Sequence, residues 1–203
     1  MRGRFIALEG IDGSGKTTQA RLLAEELRAR RVPCVLTREP GGTPLGERLR
    51  ALLLDGELPA IGPAAEAHLF AAARAALVEE VIRPALERGE WVVSDRFVDS
   101  SLAYQGAAGG LGLEAVWQLN RAALAGCLPD LSLVIDAPVA VAAERRCAGP
   151  DRIEAQGPGF QARVAEGYRT VARRFPDRVA LVPGEGEVAE VHAAVMARVE
   201  RLL

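Results

Sequence analysis

The only lysine among the 25 basic residues of this 203-residue chain, Lys16, stands in Gly10-Ile11-Asp12-Gly13-Ser14-Gly15-Lys16-Thr17. That run matches G-x-x-x-x-G-K-[ST] at every defined position. Its glycines let the backbone curl until successive N–H groups face one anion, and the helix that follows adds its positive end. A slim ammonium on a flexible stem enters such a nest and follows moving β- and γ-phosphates, whereas a planar guanidinium is too wide and too rigid. Thr17 supplies a hydroxyl suited to Mg²⁺. The chemistry implied is the binding of nucleotide phosphates.

Such a loop works only between a strand and a helix, and the flanking residues predict both. Phe5 to Glu9 reads as a short buried strand, and Thr17 to Arg30 as a helix with Ala20, Leu23, Ala24 and Leu27 on one face. Further strands are expected at Pro33–Thr37, Trp91–Ser94, Leu131–Ile135 and Val179–Val182. Helical patterns lie between them: Pro44–Leu54, Ala64–Arg88 with a kink at Pro84, Phe97–Gly126 broken by four glycines, Val139–Arg146, and Phe160–Phe175. A last helix repeats Val188, Val191, Val195, Val199 and Leu202 on one face. Five apolar strands alternating with helices give an α/β fold, a five-stranded parallel sheet covered on both faces. Its ligands gather at the carboxyl ends of the strands, where the glycine loop, Arg38-Glu39, Asp95-Arg96 and Asp136 are expected to converge.

Composition bounds the rest. The length fits a single domain over 1–203, and 49% hydrophobic residues with a mean hydropathy of +0.09 predict a compact globular chain. No apolar run approaches the ~20 residues of a membrane span, and Met1-Arg2-Gly3-Arg4 leads directly into a strand, so a cytoplasmic protein without membrane attachment is expected. A net charge of −2 argues against a general nucleic-acid surface and leaves any anionic partner to a local arginine cluster. Cys34, Cys127 and Cys147 are scattered and odd in number, and read as reduced thiols.

A switch GTPase needs N-K-x-D for guanine, and the single lysine is already used. The remaining blocks resemble the thymidylate kinase family of P-loop nucleoside monophosphate kinases: Phe5 through Gln19, Thr37-Arg38-Glu39-Pro40-Gly41-Gly42-Thr43, Phe70-Ala71-Ala72-Ala73-Arg74, Asp95-Arg96-Phe97 through Ser100 to Tyr104-Gln105, and Asp151-Arg152-Ile153-Glu154. They cover the chain from residue 5 to about 154 in the family's order. The glycine loop alone is generic; the T-R-E-P-G-G and D-R-F…S…A-Y-Q blocks are specific.

The resemblance implies transfer of the γ-phosphoryl of ATP to the 5′-phosphate of dTMP, giving ADP and dTDP, with Mg²⁺ as cofactor and a homodimer as the assembly. The acceptor is mostly a dianion at neutral pH, its second pKa being near ~6, so alignment and charge compensation matter more than a general base. Residues from Gly10 to Thr18 would hold the ATP phosphates. Arg38 and Arg96 would clamp the dTMP phosphate beside Ser100, with surface pairing to Glu39 and Asp95 as the lesser alternative for each. Asp95, Glu39 or Asp136 would meet the Mg²⁺ of Thr17, and sequence does not rank the three. Phe70 would stack on the base, Arg74 one helical turn later would donate to a thymine carbonyl, and Gln105 would complete the base contacts. Tyr104 would crowd a ribose 2′-hydroxyl, and Asp12 would meet the 3′-hydroxyl. Gly13 in the loop implies the bacterial type, whose extra arginine comes from a lid, here about 147–159; Arg145, Arg146 and Arg152 are the candidates, with one of the first two against adenine. A kinase for another nucleoside monophosphate and an ATP-dependent regulator are the rival readings.

Overall fold

The computed structural model describes residues 2–57, 61–145 and 152–203. Its elements follow in chain order: β1 (Phe5–Glu9), α1 (Lys16–Ala29), β2 (Cys34–Arg38), α2 (Pro44–Leu54), α3 (Pro63–Leu77), α4 (Arg83–Glu87), β3 (Trp91–Asp95), α5 (Val98–Ser101), α6 (Leu113–Leu124), β4 (Leu131–Asp136), α7 (Val139–Glu144), α8 (Pro158–Arg174), β5 (Val179–Pro183) and α9 (Val188–Val199). All neighbouring strands pair in parallel in the order β2-β3-β1-β4-β5, so the expected five-stranded parallel sheet is present. The winding reverses at β1, which places the glycine loop over the switch point of the sheet.

Alternation along β1 divides the core. Ile6 and Leu8 point to the face covered by α1 and α9, where Leu23, Leu27, Val191, Val195 and Val199 pack. Phe5 and Ala7 point to the other, against Leu77, Ile82 and Leu86. Residues of α8, among them Val164 and Val171, close that second face over Val134 and Val179. Period two in the strands and period 3.6 in the helices thus meet in one two-sided core.

Two expected long helices are interrupted, each by a wide turn. Before Pro84 the segment Val78–Ile82 opens into a π turn in which the Arg83 N–H reaches back five residues to the Val78 carbonyl. Pro84 brings no N–H and its ring crowds the preceding turn, so the helix widens there instead of ending. The second wide turn, Leu102–Ala108, links α5 to the loop before α6, with the Gly109 N–H on the Tyr104 carbonyl at 2.7 Å. It sets the consecutive residues Tyr104 and Gln105 on one cleft wall. Helix α8 crosses it at glycine distance: a Cβ on Gly167 would lie 3.0 Å from the Ala103 carbonyl oxygen.

Among the described residues, no helix is long and apolar enough to cross a membrane. Cys34 and Cys127 are free thiols, and Cys147 lies outside the described residues.

Candidate active site

The glycine loop leaves β1 at Gly10, whose φ of +140° belongs to glycine and where a Cβ would stand 2.8 Å from the Ile135 carbonyl oxygen. The loop delivers Lys16 at the first turn of α1, buried, with its ammonium 3.3 Å from both the Ile11 carbonyl and Asp12 Oδ1. Burial and the nearby Arg96 guanidinium lower the Lys16 pKa, against the pull of Asp12 and Asp95.

Arg96 follows β3 in a left-handed backbone conformation, φ +73°. Its N–H donates to the Leu8 carbonyl at 2.9 Å and its own carbonyl accepts from the Ser94 hydroxyl at 2.7 Å, which fixes that conformation. The side chain thereby turns back over β1. Its guanidinium donates to the Gly10 carbonyl, Ser100 Oγ, Tyr168 OH and Tyr104 OH, each at 3.1 Å, and to the Asp12 carboxylate. Tyr104 also donates to Asp12 Oδ2 at 2.9 Å. Burial would raise the Asp12 carboxyl, but Arg96, Lys16 and the Tyr104 hydroxyl together hold it well below the usual range.

Under this cluster lies a buried carboxylate that the motifs contain and that was assigned no role. Glu9, fully buried at the end of β1, accepts from the Phe97 N–H at 2.8 Å, the Ser100 hydroxyl at 2.6 Å and the Tyr168 hydroxyl at 3.1 Å. With both hydroxyls donating downward to Glu9, their lone pairs face the Arg96 guanidinium. Burial, with the charge of Asp99, pushes the Glu9 pKa up to about 7. A signal was present in the sequence: one charged residue ends an otherwise apolar strand. Tyr168, 159 positions away, carried none.

Thr17, Asp95 and Glu39 come together as metal-side candidates. The Thr17 hydroxyl donates to Asp95 Oδ2 at 2.5 Å, while Asp95 Oδ1 and Glu39 Oε1 are buried without a hydrogen-bond partner. Two unpartnered carboxylate oxygens and one hydroxyl on one cleft fit the oxygen-rich, partly hydrated shell that Mg²⁺ takes. Asp136 does not join them. It sits off the cleft, held by Arg169 at 3.0 and 3.1 Å, so the expected convergence holds for three of the four strand ends.

The cleft itself holds about 250 Å³ and runs from Lys16, Asp95 and Arg96 past Arg38 and Ser100 to Phe70, Tyr104 and Gln105. Arg38 is half-exposed and leans on Glu47 at 3.1 Å. A second cavity of about 210 Å³ lies across the loop, between Ser14, Gly15, Thr18, Arg145 and Gly186. Arg145 is fixed there by the Gly184 carbonyl at 2.7 Å.

Two arginines are placed otherwise than expected. Arg74 is 1% exposed and does not line the cleft; it donates to Glu39 Oε2 at 2.9 and 2.5 Å, to Ser101 Oγ at 3.2 Å and to Asn120. A guanidinium that deep needs every donor met, and these neighbours meet them ahead of any ligand. Burial raises the Glu39 pKa to about 7 in spite of Arg74. Arg152, expected over the donor phosphates, instead donates to the Leu53 carbonyl at 2.8 Å and to Glu66 Oε2 at 2.5 Å. The largely buried Glu66 carboxylate offers it a stronger partner than solvent. Arg146, and residues 147–151 of the expected lid, lie outside the described residues.

Comparison with known proteins gives one result. The family model described as thymidylate kinase matches residues 8–195. The chain is 48% identical to a thymidylate kinase of Rhizorhabdus wittichii, covering all of both chains, and 47% identical to one of Caldanaerobacter subterraneus subsp. tengcongensis, covering 100% of this chain and 98% of the other. The crystal structure of thymidylate kinase from Ehrlichia chaffeensis superposes with a TM-score of 0.79 at 33% identity, over 98% of this chain and 99% of that one.

Proposed function

This chain belongs to the thymidylate kinase family and phosphorylates dTMP to dTDP, and on that footing we propose that ATP with Mg²⁺ is the donor and that transfer takes place between Lys16 and Arg96. The single observation that carries the site assignment is the meeting of Lys16 and Arg96 on one carboxylate, Asp12, at the floor of a cleft that continues to Phe70 and Gln105.

In this reading the backbone N–H groups from Gly10 to Thr18 cradle the ATP phosphates, and Lys16 follows the γ-phosphoryl as it moves. Arg96, with Arg38 and Ser100, binds the acceptor phosphate. The two polyanions are then aligned in line, and the cations offset a repulsion that would otherwise keep them apart. Thr17 and Asp95, with Glu39 on the same cleft, would hold Mg²⁺, which would supply charge neutralisation to the reacting phosphates. No residue needs to take a proton from the acceptor, because its phosphate is already largely ionised at neutral pH.

Phe70 offers its ring to the base and Gln105 its amide, while Tyr104, held by Asp12 and Arg96, would crowd a ribose 2′-hydroxyl. Arg74 supports this wall from behind through Glu39. The second cavity, with Arg145 on its rim, suits the adenine side of ATP. The chain works as a single kinase domain with a lid near 147–159, as a cytoplasmic homodimer acting on free nucleotides; its net charge of −2 is in keeping with small-molecule partners and no nucleic acid. The test is a coupled ADP-release assay with ATP·Mg²⁺ against a panel of nucleoside monophosphates. Turnover strongest with dTMP supports the reading, and equal or better turnover with AMP or CMP overturns it.

A further inference from the structure

Glu66 stands in the first turn of α3, 8% exposed, and both of its carboxylate oxygens are engaged. Oε2 accepts from Arg152 and Oε1 accepts from the Gln105 amide nitrogen at 2.8 Å. A carboxylate paired with a guanidinium is an acceptor only, so it can be met by the NH₂ end of a glutamine amide and not by its carbonyl end. Gln105 lines the cleft and is itself 3% exposed. With its nitrogen turned to Glu66, the amide atom left for the cleft is the carbonyl oxygen.

We propose that Glu66 is a specificity-determining positioning residue, which locks the Gln105 amide so that its carbonyl faces the acceptor base and selects bases that carry a ring N–H. Thymine and uracil offer such a donor at N3. Cytosine has a lone pair there, which the carbonyl oxygen repels. A free glutamine amide would satisfy either by flipping, so the discrimination comes from the residue behind Gln105 rather than from Gln105 alone. Arg152 completes the lock by holding the second oxygen of Glu66, which ties the segment that carries it to the wall that reads the base. The inference rests on the reading of Gln105 as a base contact.

The experiment compares kcat/KM for dTMP, dUMP and dCMP on one preparation each of wild type, Glu66→Gln, Glu66→Asp, Glu66→Ala and Gln105→Ala. The ratio between two substrates does not depend on how much of a sample is folded. A site built around one hydrogen-bonding polarity discriminates by large factors, so Glu66→Gln should raise the dCMP to dTMP ratio about 10-fold or more while dUMP and dTMP fall together. Glu66→Asp, still acceptor-only, should keep the wild-type ratio, whereas Glu66→Ala, made as a second release of the Gln105 amide, should raise it as Glu66→Gln does and provides the answer if the glutamine variant does not fold. Loss of activity in Glu66→Gln with the dCMP ratio unchanged means that Glu66 is structural and overturns the inference alone. An unchanged ratio in Gln105→Ala removes Gln105 from the base and overturns both it and the reading on which it rests.

Discussion

The Arg96 guanidinium is ion-paired to Asp12, a residue of the glycine loop itself, so the arginine proposed to bind the acceptor is anchored to the loop proposed to hold the donor. Displacement of either partner is therefore felt on both halves of the site. Lys16 lies on the same carboxylate oxygen, and three groups share one electrostatic balance.

Lys16→Arg should leave the fold intact and reduce kcat at least about 10²-fold, because the guanidinium cannot follow the γ-phosphoryl into the nest. Circular dichroism and steady-state kinetics on the same sample check this. Turnover near that of wild type would remove the loop lysine from transfer.

Phe70→Ala should weaken dTMP binding by about 1–3 kcal/mol, the range for loss of a base–aromatic stack, with ATP binding unchanged. Calorimetric titration with each nucleotide separates the two. Weaker ATP binding alone would place Phe70 on the donor side.

Glu9→Gln tests the buried support of Arg96. The folded-state pKa of Glu9 is raised from 4.5 to about 7, so the folded protein holds an extra proton between those values. The stability associated with that proton is fully present below pH 4.5 and is lost as pH rises through 7, an effect of about 3 kcal/mol at most. The variant should lack this slope in urea melts across pH 4.5–7. Its amide must also donate to one of the two hydroxyls, so kcat/KM for dTMP should fall about 10-fold, the size of one charge-assisted hydrogen bond. Identical pH slopes in the two proteins would show that Glu9 does not titrate in that window.

The remaining arginines divide by substrate. Arg145→Ala, at the cavity beside the loop, should raise KM for ATP several-fold and leave KM for dTMP unchanged. Arg152→Ala, anchored to Glu66, should raise KM for dTMP. A loss of ~10³-fold in kcat at Arg152 with both KM values unchanged would instead put it on the transferring phosphoryl, as the motifs suggest.

What could be read in the sequence was what contiguous residues determine. The glycine loop, its strand and its helix are fixed by a dozen neighbouring side chains, and the alternating apolar strands gave the parallel sheet. The trio proposed for the metal was half-legible: Thr17 followed from the loop, but setting Asp136 aside needed Arg169, which is 33 positions from Asp136 and carries no motif. Arg74 and Arg152 were matched as ligand contacts because a pattern records residue type and not which neighbour reaches it first. Glu39 and Glu66 reach them first here, and both contacts depend on how α3 packs. The wide turn at Leu102–Ala108 escaped for a related reason, since glycines mark a break in a helix without saying that its hydrogen bonds lengthen by one residue.

The left-handed backbone of Arg96 is a conformation that glycine adopts freely and arginine does not, at a cost on the order of 1–3 kcal/mol. Arg96→Gly would relieve that strain but leave the Asp12 carboxylate and the Ser100, Tyr104 and Tyr168 hydroxyls without their guanidinium, a larger loss of about 3–5 kcal/mol for a broken buried ion pair, so the variant should melt lower than wild type. The strain is therefore held in place by the contacts of the side chain itself, and the folded chain is more durable with Arg96 than without it. A screen that scores only melting temperature would thus retain the arginine, for the same contacts that hold it at the floor of the cleft.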